Sequence, residues 1–314
     1  MTEQQIITLI KYYHRKRCFL MESRKRTTNE LGAYLRSVLG WERELPKPQR
    51  DAIKRRALEI MEICQKWVRQ SNRLPPDETL PMPQVEEADL VIEALLAHQP
   101  FNEKEAEAAA QMIRLAQQLP IWSQVASIRG FSALGLAVIV AEVAGKTGRN
   151  LADYRSPAAL WTRMGLGMRD GVRQGGLTST ATKQQWIEHQ YNPMRRSRIW
   201  NIGEGLIKLN QEGKYRTLYL ARKVYETQKA QAAGLQVVPA AEIPANRKTE
   251  FMSLGHVHSR AQRVIEKELL KDLWLAWRGA GANWIVQPTP ILPGPTTRTK
   301  PNKFRRMEYR EAAE

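Results

Sequence analysis

Three stretches of the chain carry residues whose types and spacing could hold a charged ligand or do chemistry. The first is the turn Arg129-Gly130-Phe131-Ser132, inside residues 120–142. The order there is a short helix, a tight turn, then a second helix. Gly130 supplies the positive φ of the turn, and Ser132 caps the exposed amides of the helix that follows. This is the grammar of a helix-hairpin-helix, whose turn amides bind a nucleic-acid phosphate. An ordinary helical hairpin with a glycine turn reads the same locally. The second stretch is the glycine-rich segment 165–185, which carries Arg169, Arg173 and Lys183 on a loop or short hairpin. The third is His256-x-His258, two imidazoles that could meet one metal only from extended backbone. No Cys or carboxylate at useful spacing completes that site, so no metal is expected.

Other candidates for chemistry are weaker. Glu59 with Glu62, and Glu86 with Glu87, read as charges on helix surfaces rather than as metal-holding carboxylates. Gly203-Glu-Gly205 and Gly165-x-Gly167 are too short to cradle a dinucleotide, so no cofactor is expected. Trp186, Trp200, Trp274 and Trp277 lie near basic residues and could stack on bases; on apolar helix faces they equally read as core.

The elements that must position these residues read as helices. The chain has 314 residues, with 49 Lys+Arg against 32 Asp+Glu and a formal charge of +17. Such a charge points to a polyanionic partner, with DNA first and structured RNA beside it. No apolar run reaches the length of a membrane span, and the start lacks a signal-peptide core. The two cysteines, Cys18 and Cys64, stand apart, which fits a reducing cytoplasm and no structural zinc.

Residues 1–73 are expected to form a basic helical arm: one helix over about 3–39, then a second with the stripe Ile53, Ala57, Ile60, Met61, Cys64 and Trp67. The first carries near-heptad apolar positions at Ile6, Ile10, Tyr13, Leu20, Leu31, Tyr34 and Val38. It also carries Lys11, Arg15, Lys16, Arg24, Lys25 and Arg26, either as a solvated face or as a face lying along phosphates. The apolar positions suggest a homodimer through the arm. Residues 74–84 hold four prolines and read as a linker. Residues 85–286 read as a helical domain: helices near 85–98, 103–119 (capped by Asn102), 193–209, 215–233 and 258–277, with Ser156-Pro157 opening another. Lys146 adds a basic group after the hairpin. Residues 287–314 read as a basic, proline-rich disordered tail. No strand of convincing length appears, so the fold class is all-α.

In this order the elements resemble the C-terminal part of the DEDD-type insertion-sequence transposases, the group that includes bridge-RNA-guided recombinases. The specific passages are Ile128-Arg-Gly-Phe131, residues 137–142, Tyr154-Arg-Ser-Pro-Ala-Ala-Leu160 and Met164-Gly-Leu166. The helix ending Asn29-Glu-Leu-Gly-Ala-Tyr-Leu-Arg36 and the stretches from Lys214 and Arg260 are compatible with it. The resemblance implies a cytoplasmic protein of bacterial or phage origin, acting in DNA recombination and transposition. It also implies a departure, because the chain starts at the helical arm without the family's RNase-H-like domain, which a separate subunit would then supply. The family's catalytic serine, in a Ser-Gly step, would fall at Gly175-Gly176. Ser179 is the remaining candidate nucleophile, with Arg169 and Arg173 to stabilise charge. The expectation is therefore a nucleic-acid-binding protein without chemistry of its own. The alternatives are one subunit of a split recombinase using Ser179, and a coiled-coil adaptor.

Overall fold

The computed structural model describes residues 1–75, 77–145, 147–169, 171–177, 180–209 and 212–279. Lys146, Ser179 and the expected tail 287–314 lie outside them. The chain is all-α, 68% helix and 4% strand. Its helices are α1 (Glu3–Val38), α2 (Lys47–Ser71), α3 (Ala88–Ala97), α4 (Gln99–Gln117), α5 (Trp122–Val125), α6 (Ala133–Ala144), α7 (Pro157–Arg163), α8 (Lys183–Glu188), α9 (Pro193–Leu209), α10 (Lys214–Ala232) and α11 (Leu254–Trp277). The described residues also form two small ribbons: β1 (Met168–Arg169) pairs antiparallel with β2 (Val172–Arg173), and β3 (Gln236–Val238) pairs parallel with β4 (Phe251–Ser253).

Two compact units divide the chain. The smaller comprises Tyr12–Met112, and the larger comprises Met1–Lys11 with the chain from Ile113 onward. The expected boundary at 74–84 is not where they part. Ala88, Val91 and Ile92 of α3 share one core with Ala57, Ile60, Met61, Cys64 and Val68 of α2 and Leu31 and Leu35 of α1. The proline-rich segment is pinned inside this unit, since the Trp67 indole donates to the Pro81 carbonyl at 2.9 Å.

The stripe along α1 is also used within the chain. Ile6, Ile7, Ile10, Leu20, Leu31 and Leu35 are buried, whereas Val38 is exposed. A 3.6-residue helix drifts off a strict heptad over 36 residues, so the buried line moves from Tyr34 to Leu35. At its start, Glu3 accepts from the Asn150 amide (2.9 Å) and the Trp277 indole (3.1 Å). The N-terminal turns of the arm therefore belong to the core of the larger unit.

In the larger unit, α11 packs against α7, α9 and α10, and α6 packs against α9. Every residue of α6 except Leu134 is buried, as an all-round apolar helix requires. Two expected helix starts move. α4 begins at Gln99, which puts Asn102 inside the helix; Pro100 is tolerated there because first-turn amides have no intrahelical acceptor. α11 begins at Leu254, capped by the Ser253 hydroxyl on the His256 amide at 3.1 Å, so His258 lies in the helix rather than at its start.

Candidate nucleic-acid interface

The expected hairpin forms, with one turn of helix before it. Ser132 accepts from the Gly135 amide at 3.1 Å, and the Phe131 amide closes the turn on the Ile128 carbonyl at 3.0 Å. Gly130 has φ +85°, and a Cβ there would lie 2.5 Å from the Gly205 carbonyl oxygen. One side of the turn is thus sealed against the backbone of α9. Arg129 and Ser132 remain exposed.

Arg169 and Arg173 sit on the β1–β2 ribbon, whose register pairs Met168 with Arg173 and Arg169 with Val172. Cross-strand partners share a face and neighbours alternate, so the two arginines leave opposite faces. Arg169 bonds the Gln190 side chain. Gly175 and Gly176 are glycines for packing reasons. A Cβ on Gly175 (φ +77°) would meet the Tyr191 ring at 2.8 Å, and one on Gly176 would meet Arg173 Cγ at 2.8 Å. Lys183 is exposed at the first turn of α8, which Thr182 and Gln185 cap reciprocally.

The rest of the expected basic set lies in the smaller unit, apart from Lys11. There Arg15, Lys25 and Arg26 are exposed and Lys16 is half-buried, while Arg24 joins Arg17 in pairing with Glu105 at 3.3 and 3.5 Å. The charge divides unequally between the units. Residues 12–112 carry 17 Lys+Arg against 16 Asp+Glu, whereas residues 1–11 and 113–279 carry 26 against 13. The larger unit holds most of the excess positive charge; in the smaller unit the basic arm, 16 Lys+Arg against 7 Asp+Glu over residues 12–73, is offset by nine acidic residues over 74–112.

Part of that excess gathers where α9 begins, at residues that sequence reasoning passed over. Asn192 caps the helix, accepting from the Arg195 amide at 2.9 Å, and Arg195, Arg196 and Arg198 fill its first two turns. Arg195 and Arg198 both pair with Glu142, the one charged residue of α6, Arg195 at 3.1 Å. Arg163 donates to the Glu142 carbonyl at 3.0 Å, and Arg195 donates to the Arg163 carbonyl at 2.9 Å. Burial pulls the Arg163 and Arg195 guanidiniums below their ordinary range, with repulsion from Arg195 adding to the effect on Arg163.

Arg196 turns the other way, to Glu266 of α11 at 2.9 Å. Glu266 is fully buried, and it lies against Gly203 of α9, where a Cβ would stand 3.1 Å from its side chain. Burial raises its carboxyl to about 7, opposed mainly by Arg196 and then Arg263. Arg263, one turn earlier on α11, is half-buried and has its guanidinium pulled down by burial, then by Arg196 and Arg173. Two buried carboxylates thus face four arginines, Glu142 with Arg195 and Arg198 and Glu266 with Arg196 and Arg263, and the dipole of α9 adds positive potential. The run Met194-Arg-Arg-Ser-Arg198 was the available sequence signal. Glu142, Arg263 and Glu266 gave none, because a charged helix residue usually faces water.

Set against known proteins, the chain matches no family model, no curated protein and no solved structure.

The remaining candidates have structural employment. His258 bonds the Tyr219 hydroxyl at 2.8 Å and Glu204 at 3.1 Å, and among the described residues no group of three or more His, Cys, Asp or Glu could hold a metal ion. Trp274 donates to the Tyr154 carbonyl and Trp277 to Glu3, while Trp200 lies between Arg196 and the His258 ring. Trp186 leans on Tyr191 with ring centres 5.9 Å apart. No helix of the described residues is long and apolar enough to cross a membrane.

Proposed function

We propose that this protein binds nucleic acid, DNA in the first place, through the basic surface of its larger unit. The observation that carries this is the asymmetry of charge, 26 cationic against 13 acidic residues there and near-neutrality in the smaller unit. Arg129 on the hairpin turn, Arg173 on the ribbon and Lys183 on α8 offer exposed cations for phosphates. The resemblance of residues 128–166 to the transposase C-terminal domain supports a role in DNA recombination, with a homodimer and an RNase-H-like subunit as partners.

Binding to duplex DNA, single strands and structured RNA at two salt concentrations tests this. With six or more phosphates neutralised, duplex affinity falls on the order of 10³-fold between about 50 and 200 mM salt. Affinity that is weak and indifferent to salt would instead favour the adaptor. Nicking of supercoiled DNA that disappears in Ser179→Ala would replace binding alone with the split recombinase.

A further inference from the structure

We propose that Arg263 and Lys267, side by side on α11, form a subsite for one phosphate group next to the Trp161 indole of α7. The proposal rests on the nucleic-acid reading and gives it one definite phosphate contact.

Arg260, Arg263, Lys267 and Lys271 follow one another at three- and four-residue steps, so they share a face of α11. The two ends of this row are matched. Arg260 pairs with Glu226 of α10 at 3.1 Å, and Lys271 pairs with Glu268 at 2.8 Å. The two in the middle are not. The carboxylates of α11 itself are Glu266, Glu268 and Asp272, and each is engaged elsewhere. Glu266 closes on Arg196 at 2.9 Å, Glu268 also holds Lys214 at 2.9 Å, and Asp272 holds Lys214 at 2.7 Å and the Tyr215 hydroxyl at 2.8 Å. α7, which packs against α11, carries no Asp or Glu. Among the described residues no carboxylate lies within ion-pair distance of Arg263 or Lys267.

Neither cation stands fully in water instead. Both are half-buried. The Lys267 ammonium lies 5.0 Å from the centre of the Trp161 ring, and that ring is fixed by its own N–H, which donates to the Lys267 carbonyl at 2.9 Å. The indole face is a weak substitute for an anion. Burial, then Arg263, pulls the Lys267 ammonium below its ordinary range, and burial acts first on Arg263 too. Like charges one turn apart oppose each other on a helix, and a charge withdrawn from water is ordinarily paired. The partner that both lack is an anion. A phosphate meets a guanidinium fork and an ammonium at once through separate oxygens.

The test reads the Lys267 amine directly. An amine-directed acylating reagent is applied to the intact protein alone, with inorganic phosphate and with a short DNA duplex, at constant ionic strength, and mass spectrometry gives the labelling rate at each lysine. A phosphate in the subsite favours the charged ammonium and should slow Lys267 several-fold, while the exposed Lys104 of the smaller unit keeps its rate. Arg263→Gln and Lys267→Gln should each bind a labelled duplex several-fold more weakly and lower the salt slope by about one contact, whereas Lys271→Gln, at a cation already paired, should change binding little. Melting without ligand is the fold control, and the labelling arm needs no variant to fold. Lys267 labelling indifferent to phosphate and to duplex, in a protein that binds duplex with the expected salt dependence, overturns the subsite and leaves the nucleic-acid reading standing. Slowing by duplex alone, with Arg263→Gln and Lys267→Gln binding as wild type does, is shielding by a neighbouring contact and overturns the subsite too. Slowing by inorganic phosphate in a protein that ignores duplex overturns the nucleic-acid reading and keeps the subsite.

Discussion

Gly130 and Gly205 meet backbone to backbone: a Cβ built on Gly130 would stand 2.5 Å from the Gly205 carbonyl oxygen, and one built on Gly205 would stand 2.9 Å from the Gly130 carbonyl oxygen. The hairpin turn is thereby locked to α9, the helix whose first turns carry the arginine cluster. Gly130→Val combines a left-handed φ with a direct clash, and should cost about 3 kcal/mol or more in stability. Thermal unfolding reads it. A melting temperature equal to wild type would mean that the turn is not packed as described.

Arg129 is the better probe of ligand contact, since it is exposed beside that turn. Arg129→Ala should leave stability within about 0.5 kcal/mol and weaken duplex binding several-fold, with a shallower salt slope. Unchanged binding would reduce the turn to a packing device.

Glu266 should make stability fall as pH rises. Its ordinary value is 4.5, and burial lifts it to about 7 in the folded chain. Below about 4.5 both states hold the proton and it contributes nothing. Between there and about 7 the unfolded chain has released a proton that the folded chain keeps, so stability declines; above 7 the loss is complete. Glu266→Gln should flatten that part of the profile. Melting across about pH 4.5 to 8 shows it, and identical slopes in the two proteins would contradict the assignment.

The arm can associate only through what it leaves exposed. Tyr12 is 59% and Phe19 is 67% exposed, two turns apart on α1. Tyr12→Ser with Phe19→Ser should shift the mass in solution toward monomer while leaving the melting temperature in place. Removing residues 1–11 instead takes away the buried Ile6, Ile7 and Ile10, at roughly 2–5 kcal/mol each, and would report folding rather than assembly. A wild type that is monomeric at tens of micromolar (a rough working concentration) removes the dimer from the account.

Much of the fold was legible because helix signals are local. The Ser132 and Ser156 caps, the Gly130 turn and the spans of α1, α9 and α10 follow from residues within a few positions of one another. The division into units was not legible. The proline run at 74–84 looks like a linker until the Trp67 indole ties Pro81 to α2 and the apolar face of α3 packs into the core that α2 shares. The arginine cluster was legible only in part. Arg173 stood out because a glycine-rich loop isolates it, whereas Arg196 and Glu266 are joined only by the packing of α9 on α11.

Nucleic acid is proposed to meet the larger unit rather than the arm. The most direct measurement is duplex affinity over a salt series for two charge-reversed proteins, Arg129→Glu with Arg173→Glu, and Arg15→Glu with Arg26→Glu. All four positions are exposed, so both proteins should fold. The first pair should lose most of the affinity and flatten the salt slope, while the second should change binding little. A loss confined to the second pair would contradict that placement and return the interface to the arm.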